Sequence, residues 1–447
     1  MSSYRIAFLS EHASPIAVLG GVDAGGQNVY VDELSRLLGE AGHTVDVFTR
    51  WGSFDAPDIV KWAPNVRVIQ LRAGPPRRVL KDDLWPHMPA FRDALLRFMQ
   101  REKHSYDLIH ANFWMSGWVA TEIKRELGLP VVQIFHATGN TKRRVQGADD
   151  TSPSGRVDVE TVVAQAVDRV IAQCPAERDE LIDDYGMDPS RISLVPSAVN
   201  IQRFRPVDPS AARQALGLDL HMPIVGYVGR MLPRKGIRNL VRAVASLREM
   251  DPPVQLLIVG GETETPHPDA TPEIGVLREL AAQLGISDRL ILTGRRQPDI
   301  LWLYYGAADV MVSTPRYEPF GLTPLEAMAC ARPMVGSDVG GIRFTIEDGR
   351  TGFLVPPDSP QILADRLRTL LEDRELRGRM GAAGRERVER EFTWRRTAER
   401  TASLYGDVLA SRDTQNDPRH EVETLRTQTG DEDIDLSTVR AASSFWS

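Results

Sequence analysis

The strongest constraint on this chain is that short apolar runs alternate with helix-periodic segments, and that the alternation occurs twice. The first series of apolar runs occupies residues 6–9, 44–48, 66–71, 108–110, 131–135 and 192–195, with helix-periodic stretches such as 27–38 and 90–99 between them. The second series follows Pro223, at residues 224–228, 255–259, 290–293, 310–312, 334–335 and 353–355. Such alternation predicts parallel sheets joined by right-handed crossovers. We therefore predict an α/β protein with two doubly wound, parallel-sheet domains that face each other across a cleft.

The boundary between the two predicted domains falls near residues 200–209. Pro206 and Pro209 interrupt the first series there, before the second series begins. This position predicts an N-terminal domain of residues 1–205 and a second domain of residues 206–392, each long enough to bury its own core.

The last part of the chain changes character. Residues 359–405 are predicted to be mostly helical, with an interruption near residues 392–394. From about Ser411 the sequence becomes polar and loses its apolar periodicity. Residues 411–447 are therefore predicted to form a flexible tail.

Charge and cysteine content exclude some classes of protein. The net charge of −7 argues against a general nucleic-acid binder. Cys174 and Cys330 are far apart and form no metal or redox motif, so we expect buried thiols in a reducing compartment. No secretory signal is expected, and no apolar run approaches the roughly 18 residues that span a bilayer. These features predict a cytoplasmic protein.

Two carboxylates, Glu318 and Glu326, bracket a turn that follows the apolar run 310–313 and leads into a helix predicted to start near Thr323. The N–H groups and dipole of a helix N-terminus attract an anion such as a diphosphate. Carboxylates beside that anion can accept hydrogen bonds from sugar hydroxyls, so the pair indicates a nucleotide-sugar site. The spacing Thr323-x-x-Glu326, with Pro324 between them, also fits a capping box in which Glu326 needs no function.

Basic residues and glycines follow predicted strands, at the sheet edge where ligands of open α/β folds bind. Arg230 and Lys235 come after the run 224–228, and both suit phosphate oxygens, although basic side chains in loops are usually solvated. Gly25 and Gly26 lie between a strand and a helix. Glycines there let backbone N–H groups approach a phosphate, but a plain turn also explains them.

Five segments together resemble the retaining glycosyltransferases with the two-domain GT-B fold. They are residues 21–30, residues 107–110, residues 228–236, Gly340-Gly341 followed by 352–355, and the Glu-x7-Glu spacing of residues 318–326. The resemblance runs from about Ile6 to about Tyr405. It is to the group 1 family, which includes sucrose-phosphate synthase and the inositol-phosphate N-acetylglucosaminyltransferase of mycothiol synthesis. It implies that the last helix, at about residues 393–410, crosses back to the N-terminal domain.

The resemblance also implies a set of donor-binding residues. They are Gly25, Gly26, Arg230, Lys235, Arg295, Phe320, Gly321, Leu322, Thr323 and Glu326. Arg230 and Lys235 would contact the diphosphate, and Glu326 would accept the ribose hydroxyls. Glu318 would hold hydroxyls of the donor sugar, with Arg295 bordering the base.

His136 ends the predicted strand 131–135. From the residues alone a structural histidine explains it equally well, whereas the resemblance places it against the donor sugar. It would complete a catalytic set with Arg230, Lys235 and Glu318. No residue stands out as a covalent nucleophile. Retaining enzymes of this class are thought to attack from the leaving-group face, with the donor phosphate taking the acceptor proton.

The resemblance assigns acceptor binding to His12, Lys81, Lys142 and Arg156. The last three match acceptor-phosphate contacts of the mycothiol enzyme. Two departures stand against inositol phosphate itself, because Phe113 replaces an expected tyrosine and Ala137 an expected threonine. Another sugar phosphate remains open. The basic run 142–144 could instead face lipid headgroups or form a solvated turn.

The resulting hypothesis is a retaining transfer of a hexosyl group from a nucleotide-diphosphate sugar, with a UDP-sugar favoured, to a small acceptor such as a sugar phosphate. One alternative is transfer to a lipid-linked or polysaccharide acceptor, with peripheral contact to a membrane. The other is a nucleotide-sugar-binding protein without turnover, which the joint presence of Arg230, Lys235, Glu318 and Glu326 disfavours. A homo-oligomer is left open.

No metal ion and no cofactor besides the donor co-substrate are expected. The other large glycosyltransferase architecture binds a metal through an Asp-x-Asp string that follows a strand. Here such strings occur at residues 431–433 and 433–435, in the polar tail, where solvated side chains are the simpler explanation.

Overall fold

A computed structural model describes residues 3–16, 25–103 and 105–415 of the chain. Part of the 21–30 segment, both Asp-x-Asp strings and residues 416–447 of the predicted tail lie outside the described residues.

The first sheet is built from the N-terminal series of apolar runs. Its strands are β1 (Arg5–Leu9), β2 (Thr44–Arg50), β3 (Ile59–Ala63), β4 (Val66–Leu71), β5 (Leu108–Asn112), β6 (Val131–Ile134), β7 (Arg169–Ala172) and β8 (Ile192–Leu194). Their spatial order is β3-β4-β2-β1-β5-β6-β7-β8. The helices of this half are α1 (Gly26–Glu40), α2 (Met88–Glu102), α3 (Phe113–Leu127), α4 (Gly139–Gln146), α5 (Arg156–Ala166) and α6 (Pro175–Asp183).

The second sheet is built from the C-terminal series. Its strands are β9 (Ile224–Val228), β10 (Gln255–Val259), β11 (Leu290–Leu292), β12 (Val310–Ser313), β13 (Met334–Ser337) and β14 (Gly352–Val355). They are parallel and lie in the order β11-β10-β9-β12-β13-β14. The helices are α7 (Pro209–Leu216), α8 (Ile237–Ala245), α9 (Pro272–Gln283), α10 (Leu301–Ala307), α11 (Leu322–Ala329), α12 (Gly340–Thr345), α13 (Pro360–Glu372), α14 (Arg374–Glu391) and α15 (Trp394–Gln415).

The central strands are buried on both faces. Because neither face is solvated, their sequences are continuous apolar runs. Ile6 of β1 is aligned with Val45 on one side and Leu108 on the other, and all three are fully buried. Helices cover both faces of such a sheet, so alternate residues have no solvated side. The predicted α/β class with two parallel sheets is confirmed.

Two strands of the first sheet were missed. The edge strand β3 pairs antiparallel with β4, and its residues are half-buried or exposed, so it carries no continuous apolar signal. The four-residue β7 begins with Arg169 and is too short to stand out. Among the described strands, the first sheet is therefore parallel except at this edge.

Helix α15 returns to the first sheet, as the resemblance implied. It packs against α1, and Tyr405 Oη lies 2.6 Å from His110 Nδ1 in the buried core. Burial lowers the pKa of His110 to about 3, which keeps the imidazole neutral. The helix continues to Gln415, so residues 411–415 belong to a helix and not to the predicted flexible tail.

Both cysteines are buried free thiols, as expected. Burial raises the pKa of Cys174 and of Cys330 to about 12. Across residues 3–16, 25–103 and 105–415, no helix is both long and apolar enough to cross a membrane.

The contact between α15 and the first sheet gives a test. Tyr405→Phe removes the hydroxyl that bonds His110 and leaves a buried ring nitrogen without a partner. We expect the free energy of unfolding to fall by about 1–3 kcal/mol in urea titrations. The exposed substitution Ser403→Ala on the same helix is the control. An unchanged unfolding midpoint in Tyr405→Phe would show that the contact does not hold the helix.

Candidate functional site

A cleft between the two sheets collects the predicted site residues. A cavity of about 530 Å³ is lined from the first half by His12, Gly25, Gly26, Lys81, His136, Lys142 and Arg156. From the second half it is lined by Arg230, Lys235, Glu318, Phe320, Gly321, Leu322 and Thr323. An adjoining cavity of about 240 Å³ adds Arg295 and Glu326. The structure thus brings every predicted site residue to one of two connected cavities, whereas their individual roles stay predictions.

Helix α11 starts differently from the prediction. Gly321, with φ of 89°, is the N-cap, and the helix begins at Leu322 without a side-chain cap. The capping-box interpretation of Thr323 and Glu326 is therefore wrong, and Glu326 lies two residues further into the helix than expected. Its Oε2 instead accepts a hydrogen bond of 2.5 Å from Tyr305 Oη. Burial raises the pKa of Glu326 above its usual range.

The cleft contains a buried ion pair. Lys235 Nζ donates to Glu318 Oε2, and both side chains are more than four-fifths buried. Burial lowers the pKa of Lys235. Burial by itself would raise the pKa of Glu318, but the charges of Lys235, Arg234 and Arg230 outweigh it and hold that pKa below its usual value. Glu318 is therefore an ionised acceptor surrounded by cations.

Two glycines bring the segments of this pair together. Gly236 has φ of 71°, and a Cβ there would collide with Thr314 O at the end of β12. Gly340 has φ of 42°, and a Cβ there would collide with Glu318 O. Only glycine allows these close approaches without strain. They explain two of the glycines in the segments that carried the resemblance.

His136 follows β6 with a positive φ of 59°, a backbone conformation that costs energy in a non-glycine residue. Its Nε2 lies 3.0 Å from Asn112 Oδ1, and the Asn112 amide is oriented by its bond to Leu9 O. Nε2 therefore carries the proton and Nδ1 is left as an acceptor. Burial lowers the pKa of His136 well below its usual value, so the ring is neutral.

The larger cavity also has two cations beside one aromatic ring. Lys81 Nζ lies 5.6 Å and Arg156 Cζ 5.0 Å from the centre of the Phe113 ring. The edge of the His12 ring meets the same ring at 5.0 Å. Phe113 has φ of 76°, so strain accompanies its position. These residues form a basic pocket with one apolar wall.

Each cation predicted to contact the acceptor phosphate also has a carboxylate partner. Lys81 lies 2.5 Å from Asp82, Lys142 lies 2.9 Å from Asp150, and Arg156 lies 2.7 Å from Glu160. Of the basic run 142–144, Lys142 lines the cavity, Arg143 donates to Ser154 O and Arg144 pairs with Asp184. Arg143 and Arg144 remain exposed while they make these contacts.

The smaller cavity is lined by Glu326 and Arg295. Arg295 Nε is buried there, and within the described part of the chain no hydrogen-bond partner reaches it. Glu33 and Arg203 line the same cavity, and both were missed by the sequence analysis. Burial raises the pKa of Glu33.

Other lining residues missed from the sequence are Gln27, Gln173, Ser197, Tyr227, Ser313 and Tyr317. Gln27 and Tyr317 are adjacent in sequence to the predicted Gly26 and Glu318, which was a usable signal. The others lie in strands and loops where nothing in the sequence distinguishes them. Among the residues that the structure describes, no group of three or more His, Cys, Asp or Glu side chains is placed to hold a metal ion.

Comparisons with known proteins agree with this geometry. Residues 209–387 match the family described as Glycosyl transferases group 1, and residues 24–203 match Glycosyltransferase Family 4. A D-inositol 3-phosphate glycosyltransferase from Corynebacterium glutamicum (strain R) is 35% identical, over 93% of this chain and 100% of its own.

Solved structures agree as well. Sucrose-phosphate synthase from Thermosynechococcus elongatus has a TM-score of 0.83 and 35% identity, and the match covers 91% of this chain and 100% of that chain. The Anabaena protein HepE in complex with UDP-glucose has a TM-score of 0.70 at 20% identity, covering 90% of this chain and 100% of that chain. The second match shows likeness of fold alone. The predicted GT-B fold is confirmed.

The ion pair in the cleft predicts opposite effects on anion binding. Lys235→Ala should weaken binding of inorganic pyrophosphate by about tenfold or more in calorimetry, because a charged donor is lost and Glu318 is left unpaired. Glu318→Gln should strengthen binding, since its charge no longer competes for Lys235. Lys61→Ala, an exposed change on β3, is the control. Equal weakening in both cleft variants would contradict this arrangement.

Proposed function

Because the chain belongs to the group 1 glycosyltransferases, we propose that it transfers a hexosyl group from a UDP-sugar, with retention of anomeric configuration, to a phosphorylated sugar. The observation that carries the proposal is the Lys235–Glu318 pair beside the N-terminus of α11. Its cation and its carboxylate match the two halves of a sugar diphosphate.

The diphosphate accounts for the basic side of the cleft. When the bond between the sugar and the diphosphate breaks, negative charge grows on the leaving oxygen. Lys235, Arg230 and the N–H groups at the start of α11 stabilise that charge. Glu326 accepts the ribose hydroxyls deeper in the same helix, and Arg295 borders the base. The bound UDP and UDP-glucose of the Anabaena protein support a uridine donor by analogy of fold.

The sugar occupies the space between Glu318 and His136. Ionised Glu318 accepts hydrogen bonds from sugar hydroxyls, and His136 accepts another at Nδ1. In the transfer step the anomeric carbon loses its bond to the diphosphate oxygen and gains one to the acceptor oxygen. The acceptor proton passes to a phosphate oxygen of the leaving group. This scheme needs no protein nucleophile, which fits the absence of a candidate from the sequence.

The acceptor lies at the basic pocket around Phe113. Lys81, Lys142 and Arg156 suit a phosphate, and the Phe113 ring offers an apolar face to the ring of a sugar. The names of the relatives from Corynebacterium and Thermosynechococcus refer to an inositol phosphate and a sugar phosphate. Because Phe113 lacks a hydroxyl, a sugar phosphate other than inositol phosphate is the acceptor that we propose.

The test is to mix the protein with a panel of UDP-hexoses and sugar phosphates and to measure UDP release. Proton NMR of the product then reports its anomeric configuration. We expect release that depends on a phosphorylated acceptor, and a product with the configuration of the donor. Release with only unphosphorylated acceptors, or an inverted product, would overturn the corresponding part of the proposal.

The same assay tests metal dependence. We expect turnover to survive EDTA, because the charge that a metal would neutralise is assigned to Arg230, Lys235 and the α11 N-terminus. A chain that ends at Gln415 should behave in the same way, since it lacks both Asp-x-Asp strings. Turnover that is lost on chelation and restored by Mg²⁺ or Mn²⁺ would refute this scheme.

The two carboxylates should have separable effects. Glu326→Gln should lower the calorimetric affinity for free UDP by about tenfold, because a charged acceptor for the ribose is lost. Glu318→Gln should not lower UDP affinity, but it should lower the rate of sugar transfer. Equal losses of UDP affinity in both variants would refute the division.

A further inference from the structure

A buried carboxylate that the proposed reaction does not use lies beside His12. Strands β1 and β5 are parallel neighbours, with Leu9 aligned with Ala111, so the segment after β1 meets the first turn of α3. Glu11 lies in that segment, and its side chain is fully buried. Its Oε1 lies 2.7 Å from His12 Nδ1, and its Oε2 accepts a hydrogen bond from Ser116 Oγ on α3. Burying a carboxylate costs free energy unless it is hydrogen-bonded, and these two side chains meet that requirement.

The segment around Glu11 is also held through its backbone. Ser10 Oγ donates to Ala13 O at 2.9 Å, and Arg50 N donates to Glu11 O at 3.1 Å. Ser116 Oγ accepts from Glu11 N at 3.2 Å, so one hydroxyl bonds both the backbone and the side chain of Glu11. The carboxylate therefore has a fixed position relative to α3.

These bonds determine which nitrogen of His12 carries a proton. A carboxylate accepts hydrogen bonds and does not donate them, so the proton of the Glu11–His12 bond is on Nδ1. A neutral ring then has its acceptor at Nε2. The ring meets Phe113 edge-on at 5.0 Å, on the aromatic wall that Lys81 and Arg156 also approach. Because His12 lines the cavity, its Nε2 can accept a hydrogen bond from a ligand there.

We propose that Glu11 is a positioning residue for the acceptor substrate. It holds His12 in the tautomer with the proton on Nδ1, and Nε2 of His12 accepts a hydrogen bond from a hydroxyl of the sugar phosphate. The proposal rests on the proposed function of the same pocket. The other polar contacts proposed there, the cations at 81, 142 and 156, are donors suited to the phosphate, so His12 supplies the acceptor suited to a hydroxyl.

The isosteric change Glu11→Gln tests the tautomer. Ser116 accepts from the backbone N–H of residue 11 and has its own proton for the side-chain oxygen of that residue. The introduced amide must therefore turn its oxygen to Ser116 and its NH₂ group to His12, which moves the ring proton to Nε2. We expect kcat/KM for the sugar phosphate to fall by about tenfold, through KM more than kcat, because an acceptor becomes a donor. Calorimetric affinity for UDP should stay within about twofold of the wild type.

Ser116→Ala should partly restore kcat/KM to Glu11→Gln. Without the hydroxyl at residue 116 the amide can reverse, accept from Nδ1–H of His12 and make Nε2 an acceptor again. Ser116→Ala alone keeps the carboxylate of Glu11 and should change kcat/KM by less than about threefold. If Glu11 were merely stabilising, the second change would add to the loss and would not reverse it.

The matched control is Asp168→Asn, the same change of carboxylate to amide elsewhere in the first half. Asp168 accepts from Lys124 Nζ and Val131 N, both at 2.7 Å. This variant should lower stability and leave kcat/KM for the sugar phosphate unchanged in the folded protein.

NMR of protein that carries isotope-labelled histidine measures the tautomer without any substrate. The His12 signals are assigned by their loss in His12→Gln. At slightly alkaline pH, where an ordinary histidine is neutral, we expect Nδ1–H in the wild type and Nε2–H in Glu11→Gln. If no UDP-sugar is turned over, the proposed function fails, and the spectra still decide the tautomer. If Glu11→Gln does not fold, the wild-type spectrum decides it.

Three results would overturn the proposal. The first is a wild-type His12 ring that is protonated on Nε2 or on both nitrogens. The second is an unchanged KM for the sugar phosphate in folded Glu11→Gln. The third is a double variant, Glu11→Gln with Ser116→Ala, that is slower than Glu11→Gln alone.

Discussion

The buried ion pair between Lys235 and Glu318 is the interaction on which the cleft depends. Removing two charges from water costs several kcal/mol for each ion, and their mutual attraction has to offset that cost. Arg230 and Arg234 add positive potential around Glu318, so the carboxylate stays ionised. In the function that we propose, a nucleotide sugar exchanges with this internal contact, since its diphosphate matches the lysine and its hydroxyls match the carboxylate. The ammonium of Lys235 and the carboxylate of Glu318 therefore neutralise each other within the pair.

The fold supplies what this pair needs. Both residues follow the carboxyl ends of neighbouring strands, β9 and β12, so parallel pairing brings their loops to one edge. Glycines at 236 and 340 let the backbones approach closely. On the opposite side of the cleft, His136 and the basic pocket are carried by the first sheet. The two halves also meet beside Glu318, where Cys174 Sγ donates to Pro319 O.

The sequence predicted the two-sheet fold because strands buried on both faces leave continuous apolar runs. It could not reveal β3, since an edge strand with Lys61 in its middle carries no such run. It indicated site candidates from their residue types and from their positions after predicted strands. It did not indicate that Lys235 would bond Glu318, which lies 83 residues away. The capping-box interpretation failed because Gly321 starts α11 two residues earlier than Thr323.

The most direct measurement is the turnover of a UDP-sugar by Lys235→Ala, in protein whose folding is verified by circular dichroism and thermal melting. The loss of one preorganised charge that faces the leaving group typically lowers kcat by about 100-fold to 1000-fold. The account predicts a loss of that size in a folded protein. Near-wild-type turnover in folded Lys235→Ala would contradict the assignment of this pair to the reacting centre.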